Sequence, residues 1–143
     1  MLKPISLLSA AIVFAACAAS TIALAQDATN PAKPTSASQT QAKNLYARDC
    51  ALCHGDNGNG KTDLAKDMQL TLLDWTDSKS LANQTDKDLF RAIRVGKDKM
   101  PAEEEGRAKD NEVWNLIIYI RGFSKGQPAA APAPAADPAK PGN

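Results

Sequence analysis

Between Gln39 and Lys125, apolar residues recur at the three- and four-residue spacing of helices, and no stretch alternates with the period of a strand. Ala42, Leu45, Tyr46 and Cys50 fall on one side of a first helix expected from near Ser38 to Cys50. Gly55, Gly58 and Gly60 then interrupt regular structure. Thr85-Asp86-Lys87-Asp88 has the form of a capping box, with Asp88 in the place usual for Glu or Gln. It opens a short helix with Leu89, Phe90 and Ile93 as its apolar face, and Gly96 is a natural stop. A last helix starts near Asp110, a suitable N-cap, and runs to about Phe123. Val113, Trp114, Ile117, Ile118 and Ile120 give it a wide apolar face. The expected domain, residues 39–125, is mostly α: three to four helices with long loops.

The two ends have a different grain. Lys3 precedes an uncharged apolar run from Ile5 to Ala16, and Ala23-Leu24-Ala25 has the small-x-small pattern of a cleavage site. Residues 1–25 are therefore expected to be a cleaved export signal, leaving Gln26 as the first mature residue and placing the protein in the periplasm. Two readings compete. An uncleaved anchor is possible on length, since a span takes roughly 20 residues, but the many Ala, Ser and Thr make the stretch weakly hydrophobic. Lipidation at Cys17 would need a lipobox, which Phe14-Ala15-Ala16-Cys17 matches poorly. With the signal removed, no stable membrane insertion is expected, and the domain should be a monomer. Residues 26–38, with Asn30-Pro31 and Lys33-Pro34 among small polar residues, read as a disordered leader. Residues 126–143 read as an extended Pro/Ala-rich tail, a solvated spacer or else a tether.

Charge narrows the function classes. The chain has 17 Lys and Arg against 16 Asp and Glu. Loss of Lys3 with the signal leaves the mature chain formally neutral. Nucleic-acid binding, which needs an excess of positive charge on one face, is not expected.

A domain this small is often marginal without a staple. The mature cysteines, Cys50 and Cys53, are too close for a disulfide between them to constrain much chain. A bound cofactor is the better organiser. Cys50-Ala51-Leu52-Cys53-His54 is the C-x-x-C-H pattern of covalent c-type haem attachment. Two thiols a helical turn apart can bond the two porphyrin vinyl groups, and the histidine that follows is held within reach of the iron as an axial ligand. A zinc site would have to recruit a carboxylate, because these three residues exhaust the mature Cys and His. A redox-active C-x-x-C should open a helix after a strand, whereas this one closes a helix and runs into Gly55. The second axial ligand has to be a methionine, Met68 or Met100, unless the iron is open or water-bound. Met100, followed by Pro101 and preceded by Gly96, is favoured; Met68, among Leu64, Leu70 and Leu72, reads as a core methionine.

Several stretches together closely resemble class I c-type cytochromes, small monohaem proteins with His/Met ligation. These are Tyr46 before Cys50, Cys-Ala-Leu-Cys-His-Gly at 50–55, the glycines at 58–60, Asp86 to Ile93 leading to Gly96 and Met100-Pro101, and Trp114 with Tyr119-Ile120-Arg121. The resemblance covers roughly Lys43 to Phe123. It implies a cytochrome c-like fold wrapped round one haem bonded to Cys50 and Cys53, with His54 and Met100 on the iron. It also implies that Ala42 and Tyr46 pack against the Ile117 to Ile120 region, with Tyr119 close by. The expected function is one-electron, outer-sphere transfer between redox protein partners, with no catalytic residue. A dedicated subunit of a periplasmic dehydrogenase or oxidase is the alternative, and an open-site haem enzyme or gas sensor a more distant one. Lys87, Arg91, Arg94, Lys97 and Lys99 read as a basic stripe, either a solvated face or a docking patch. Ala102 to Arg107, with the acidic run 103–105, reads as a solvated insertion, and Trp75 as a propionate donor or as haem-pocket packing.

Overall fold

Thr35 starts the first helix. Its hydroxyl accepts the Ser38 N–H while Ser38 Oγ accepts the Thr35 N–H, so two amide donors at the helix start are satisfied reciprocally. In the computed structural model, which describes residues 29–126, the order is α1 (Ser36–Asp49), α2 (Ala51–His54), α3 (Asp63–Asp67), α4 (Asp86–Val95) and α5 (Asp110–Gly122), then a 3-10 turn at Phe123–Lys125. The mostly helical, cytochrome c-like architecture expected from the sequence is the one observed. The expected signal segment, the start of the expected leader and the Pro/Ala-rich stretch beyond Gly126 lie outside the described residues.

Three boundaries differ from expectation. The expected leader, residues 26–38, overlaps ordered structure: the Asn30 amide donates to the Trp114 carbonyl (2.8 Å), and residues 36–38 are already helical. α3 is additional: the Thr62 hydroxyl accepts the Ala65 N–H (3.0 Å) and caps one short turn, of which only Ala65 is buried. At α5 the cap is Lys109, not Asp110, because Glu112 takes the Lys109 N–H (2.7 Å) while the Asp110 carboxylate is held by Arg94.

The core is the crossing of α1 and α5. Ala42, Leu45 and Tyr46 from α1 meet Val113, Leu116, Ile117 and Ile120 from α5, all buried. The Tyr46 ring lies 5.6 Å from Tyr119 and 5.0 Å from Phe123. Asn115 is the one buried polar residue among those described, and it is satisfied: it donates to Asn111 O and accepts from Gln39. α4 lies against α5, its capping box at Thr85 and Asp88 formed as expected. Arg121 of α5 reaches across to Asp86 and to the carbonyls of Leu81 and Gln84, fixing the start of α4. No helix among the described residues is long and apolar enough to cross a membrane.

The basic stripe needs a correction at Arg94. Its side chain is only 13% exposed and is committed inward. It bonds Asp110 (2.8 Å), Glu103 O (2.9 Å) and Ala108 O (2.8 Å), and its guanidinium lies over the Phe90 ring. Charge at helical spacing looks the same in sequence whether it faces water or the carbonyls of a neighbouring loop. Arg94→Ala should cost about 1–3 kcal/mol in chemical denaturation, the usual cost of leaving buried carbonyls unpaired. A change under about 0.5 kcal/mol would return Arg94 to the solvated face.

Candidate functional site

The C-x-x-C-H segment begins where α1 ends. Cys50 is at once the last cap of α1 and the first of α2, and the single turn of α2 closes with Cys53 N–H to Cys50 O (3.2 Å) and His54 N–H to Cys50 O (2.9 Å). Both thiols are free. Thr62 Oγ1 donates to Cys53 O (3.1 Å), and the buried Tyr46 hydroxyl donates to Gly55 O (2.6 Å), so α3 and the core hold the turn from two sides. Gly58 completes the frame with a left-handed φ of +78°, and a Cβ there would sit 2.7 Å from the Phe123 ring. Gly58→Ala should therefore lower stability by about 1–3 kcal/mol through backbone strain alone. An unchanged melting curve would show that Phe123 and the loop simply shift.

Electrostatics separate the possible chemistries. Burial, with smaller contributions from the Asp49 and Glu103 charges, pushes the Cys50 thiol up to about 12. A redox-active C-x-x-C needs the opposite, a thiolate favoured by positive surroundings. Asp49 itself is nearly covered and is held by Arg48 and Arg107. Burial also lowers the His54 imidazole to about 4, which keeps it neutral, the form in which histidine binds a metal. No group of three or more His, Cys, Asp or Glu among the described residues is placed to hold a metal ion by itself, so a zinc set is not assembled here. Two free thiols one turn apart, followed at once by an imidazole kept neutral by burial, fit the donor set that a covalently attached haem would take.

Met100 lies after α4. Gly96 turns the chain with φ +79°, and a Cβ on it would come within 2.7 Å of Met100 O. Lys97 and Met100 then pair across a tight turn (3.0 and 2.8 Å), and Glu103 N–H returns to Ile93 O (2.8 Å). Met100 is half-buried against the core. Met68 is not the core residue expected: it caps α3 and is 40% exposed, because that short helix buries little. Lys99 Nζ donates to Met68 O (2.7 Å), joining the two methionine-bearing segments. Of the expected stripe, Lys87, Arg91, Lys97 and Lys99 are exposed. Nor is Ala102 to Arg107 simply solvated, since Glu103 is half-buried, bonded through its backbone to Ile93 and Arg94 and through its carboxylate to Arg107. Glu104 and Glu105 are exposed.

Trp75 was expected as a propionate donor or as packing, but its partner was not foreseen. Its ring stacks on His54, centroids 4.2 Å apart and 14° from parallel. A cavity of about 260 Å³ lies beyond it, lined among others by Trp75, Asp77, Leu81, Arg121 and Lys125, and includes none of Cys50, Cys53, His54 or Met100.

Helices crossing over a C-x-x-C-H turn, with that donor set, define the class of c-type cytochromes. Solved structures agree. The KustC0563 c-type cytochrome matches with a TM-score of 0.50 at 28% identity, over 57% of this chain and 95% of that one. A point mutant of the same cytochrome matches with a TM-score of 0.50 at 26% identity, over 58% and 98%. The chain belongs to the family described as cytochrome C oxidase, cbb3-type, subunit III, whose model matches residues 37–120. Membership of this cytochrome c family implies covalently bound haem c and a role in electron transfer.

Proposed function

We propose that the chain is an exported, periplasmic, monohaem one-electron carrier, with haem bonded to Cys50 and Cys53 and its iron held between His54 and Met100. The observation that carries this is the turn of α2, with two free thiols and a neutral imidazole framed by Tyr46, Thr62 and Trp75. When bound, the haem supplies the iron centre that gains and loses the electron. The protein's part is to orient and to exclude water. Cys50 and Cys53 would fix the ring to α2, His54 would offer an uncharged donor, and the Gly96 turn with the Lys97–Met100 pairing would hold the backbone that carries the Met100 thioether. With His54 and Met100 both held in place, little would have to rearrange when charge changes, which would suit outer-sphere transfer to a redox protein partner.

The family match favours a second reading. A domain of the cytochrome C oxidase subunit III family is also suited to be a fixed electron-transfer subunit of an oxidase, with residues 127–143 as its tether. Size-exclusion chromatography of the native extract separates the two: a diffusible carrier elutes as a small haem protein, a subunit with its complex. Carbon monoxide tests ligation in either case. The ferrous protein is expected to take it up slowly or not at all, and rapid uptake would mean an open iron and remove Met100 from the site.

A further inference from the structure

We propose that Trp75 is the positioning residue for His54, fixing the imidazole plane by stacking where a hydrogen bond would ordinarily fix it. The inference rests on His54 being an axial ligand. A ligating histidine almost always donates its second ring N–H to a carboxylate, carbonyl or water, which sets both tautomer and orientation. Here His54 Nδ1 is buried and has no hydrogen-bond partner in the structure. What it has is a parallel indole at 4.2 Å.

Trp75 is itself held from outside the site, as a positioning residue must be. Its backbone N–H donates to Gly58 O (2.8 Å), in the loop that follows the C-x-x-C-H turn. The preceding residue, Asp74, receives Lys61 Nζ (2.9 Å) and the Thr76 hydroxyl, while its carbonyl takes Ser80 Oγ. Those bonds, Thr76 first and Lys61 next, hold the Asp74 carboxyl down at about 2, so the anchor stays charged across the working pH range. Tyr46 stands 6.4 Å from the indole at a steep 59° tilt, closing another approach. The loop thus fixes the Trp75 backbone, and the indole it carries offers His54 a parallel face.

The chemical consequence has one sign. An imidazole whose N–H meets no acceptor is a weaker donor to iron than one bonded to a carbonyl. The indole also keeps water from that face. Both effects favour ferrous over ferric iron, so removing Trp75 should move the equilibrium toward ferric.

The test uses the holoprotein, with haem attachment confirmed by mass before each measurement. Redox titration of Trp75→Ala and Trp75→Leu should each show a shift toward ferric of roughly tenfold, about 59 mV for one electron. The ferric electron paramagnetic resonance spectrum should change with it, because the ring plane is released. Trp75→Phe, which keeps a stackable ring, should stay near wild type in both readouts. Ile117→Val, in the α1–α5 core, should lower stability and move neither. If Leu behaves like wild type, Trp75 only fills space and the proposal fails. It fails equally if Ala, Leu and Phe all match wild type in potential and spectrum. A chain that carries no haem, or whose spectrum shows no histidine on iron, instead overturns the ligation beneath it.

Discussion

The double variant Cys50→Ser, Cys53→Ser is expected to lose covalent haem completely. Wild type produced with haem-attachment machinery should keep its haem through a denaturing gel, and the variant should keep none. The reason is chemical: a serine hydroxyl does not form the thioether that joins a cysteine to a porphyrin vinyl group. Geometry makes both cysteines count, since they lie on one turn with Cys53 N–H bonded to Cys50 O and each thiol is free. Each single variant should retain haem by one bond. The double variant should also be less stable, because a ligand bound only to the folded state contributes to folding free energy. Retention of haem through the gel in the double variant would mean attachment elsewhere.

Met100→Ala should have the second largest effect. The expected fall in reduction potential is on the order of 0.1 V, part of the ≈0.8 V range over which axial ligands act. The variant should also open the ferrous iron to carbon monoxide. Met100 is the candidate because its segment is built to hold it: Gly96 has no Cβ to strike Met100 O, and the Lys97 pairing fixes the turn. Met68→Leu is the companion. Its side chain is substantially exposed at the end of a one-turn helix, so potential and carbon monoxide binding should not change. An exchange of these two outcomes would assign the ligand to Met68.

What the sequence revealed, and what it did not, follows from the range of the interactions. Capping at Thr85 with Asp88 is local, so three residues of spacing suffice to read it. The apolar faces of α1 and α5 show up as periodicity, and Ala42 and Tyr46 meet α5 as the family resemblance implied. The C-x-x-C-H turn is contiguous, so Cys50, Cys53 and His54 can be read as a group from sequence. Arg94 was misread because its partners, Glu103, Ala108 and Asp110, are loop and cap atoms with no sequence signature of their own. Met68 was misread because its leucine neighbours suggest a core that a single helical turn does not build. The Trp75–His54 stack joins positions 21 residues apart, through loop hydrogen bonds of Asp74 and Gly58 that have no sequence signature. Asp74-Trp75 followed by Thr76, Ser78 and Ser80 was the available signal: a polar turn presenting one large ring.

The central claim, a single haem carried at Cys50 and Cys53, is tested most directly by the intact mass of the protein made alongside haem-attachment machinery. The account predicts a gain equal to one haem, with the added mass on the peptide containing residues 50–54 after digestion. An unmodified chain, or haem located on any other peptide, would contradict it.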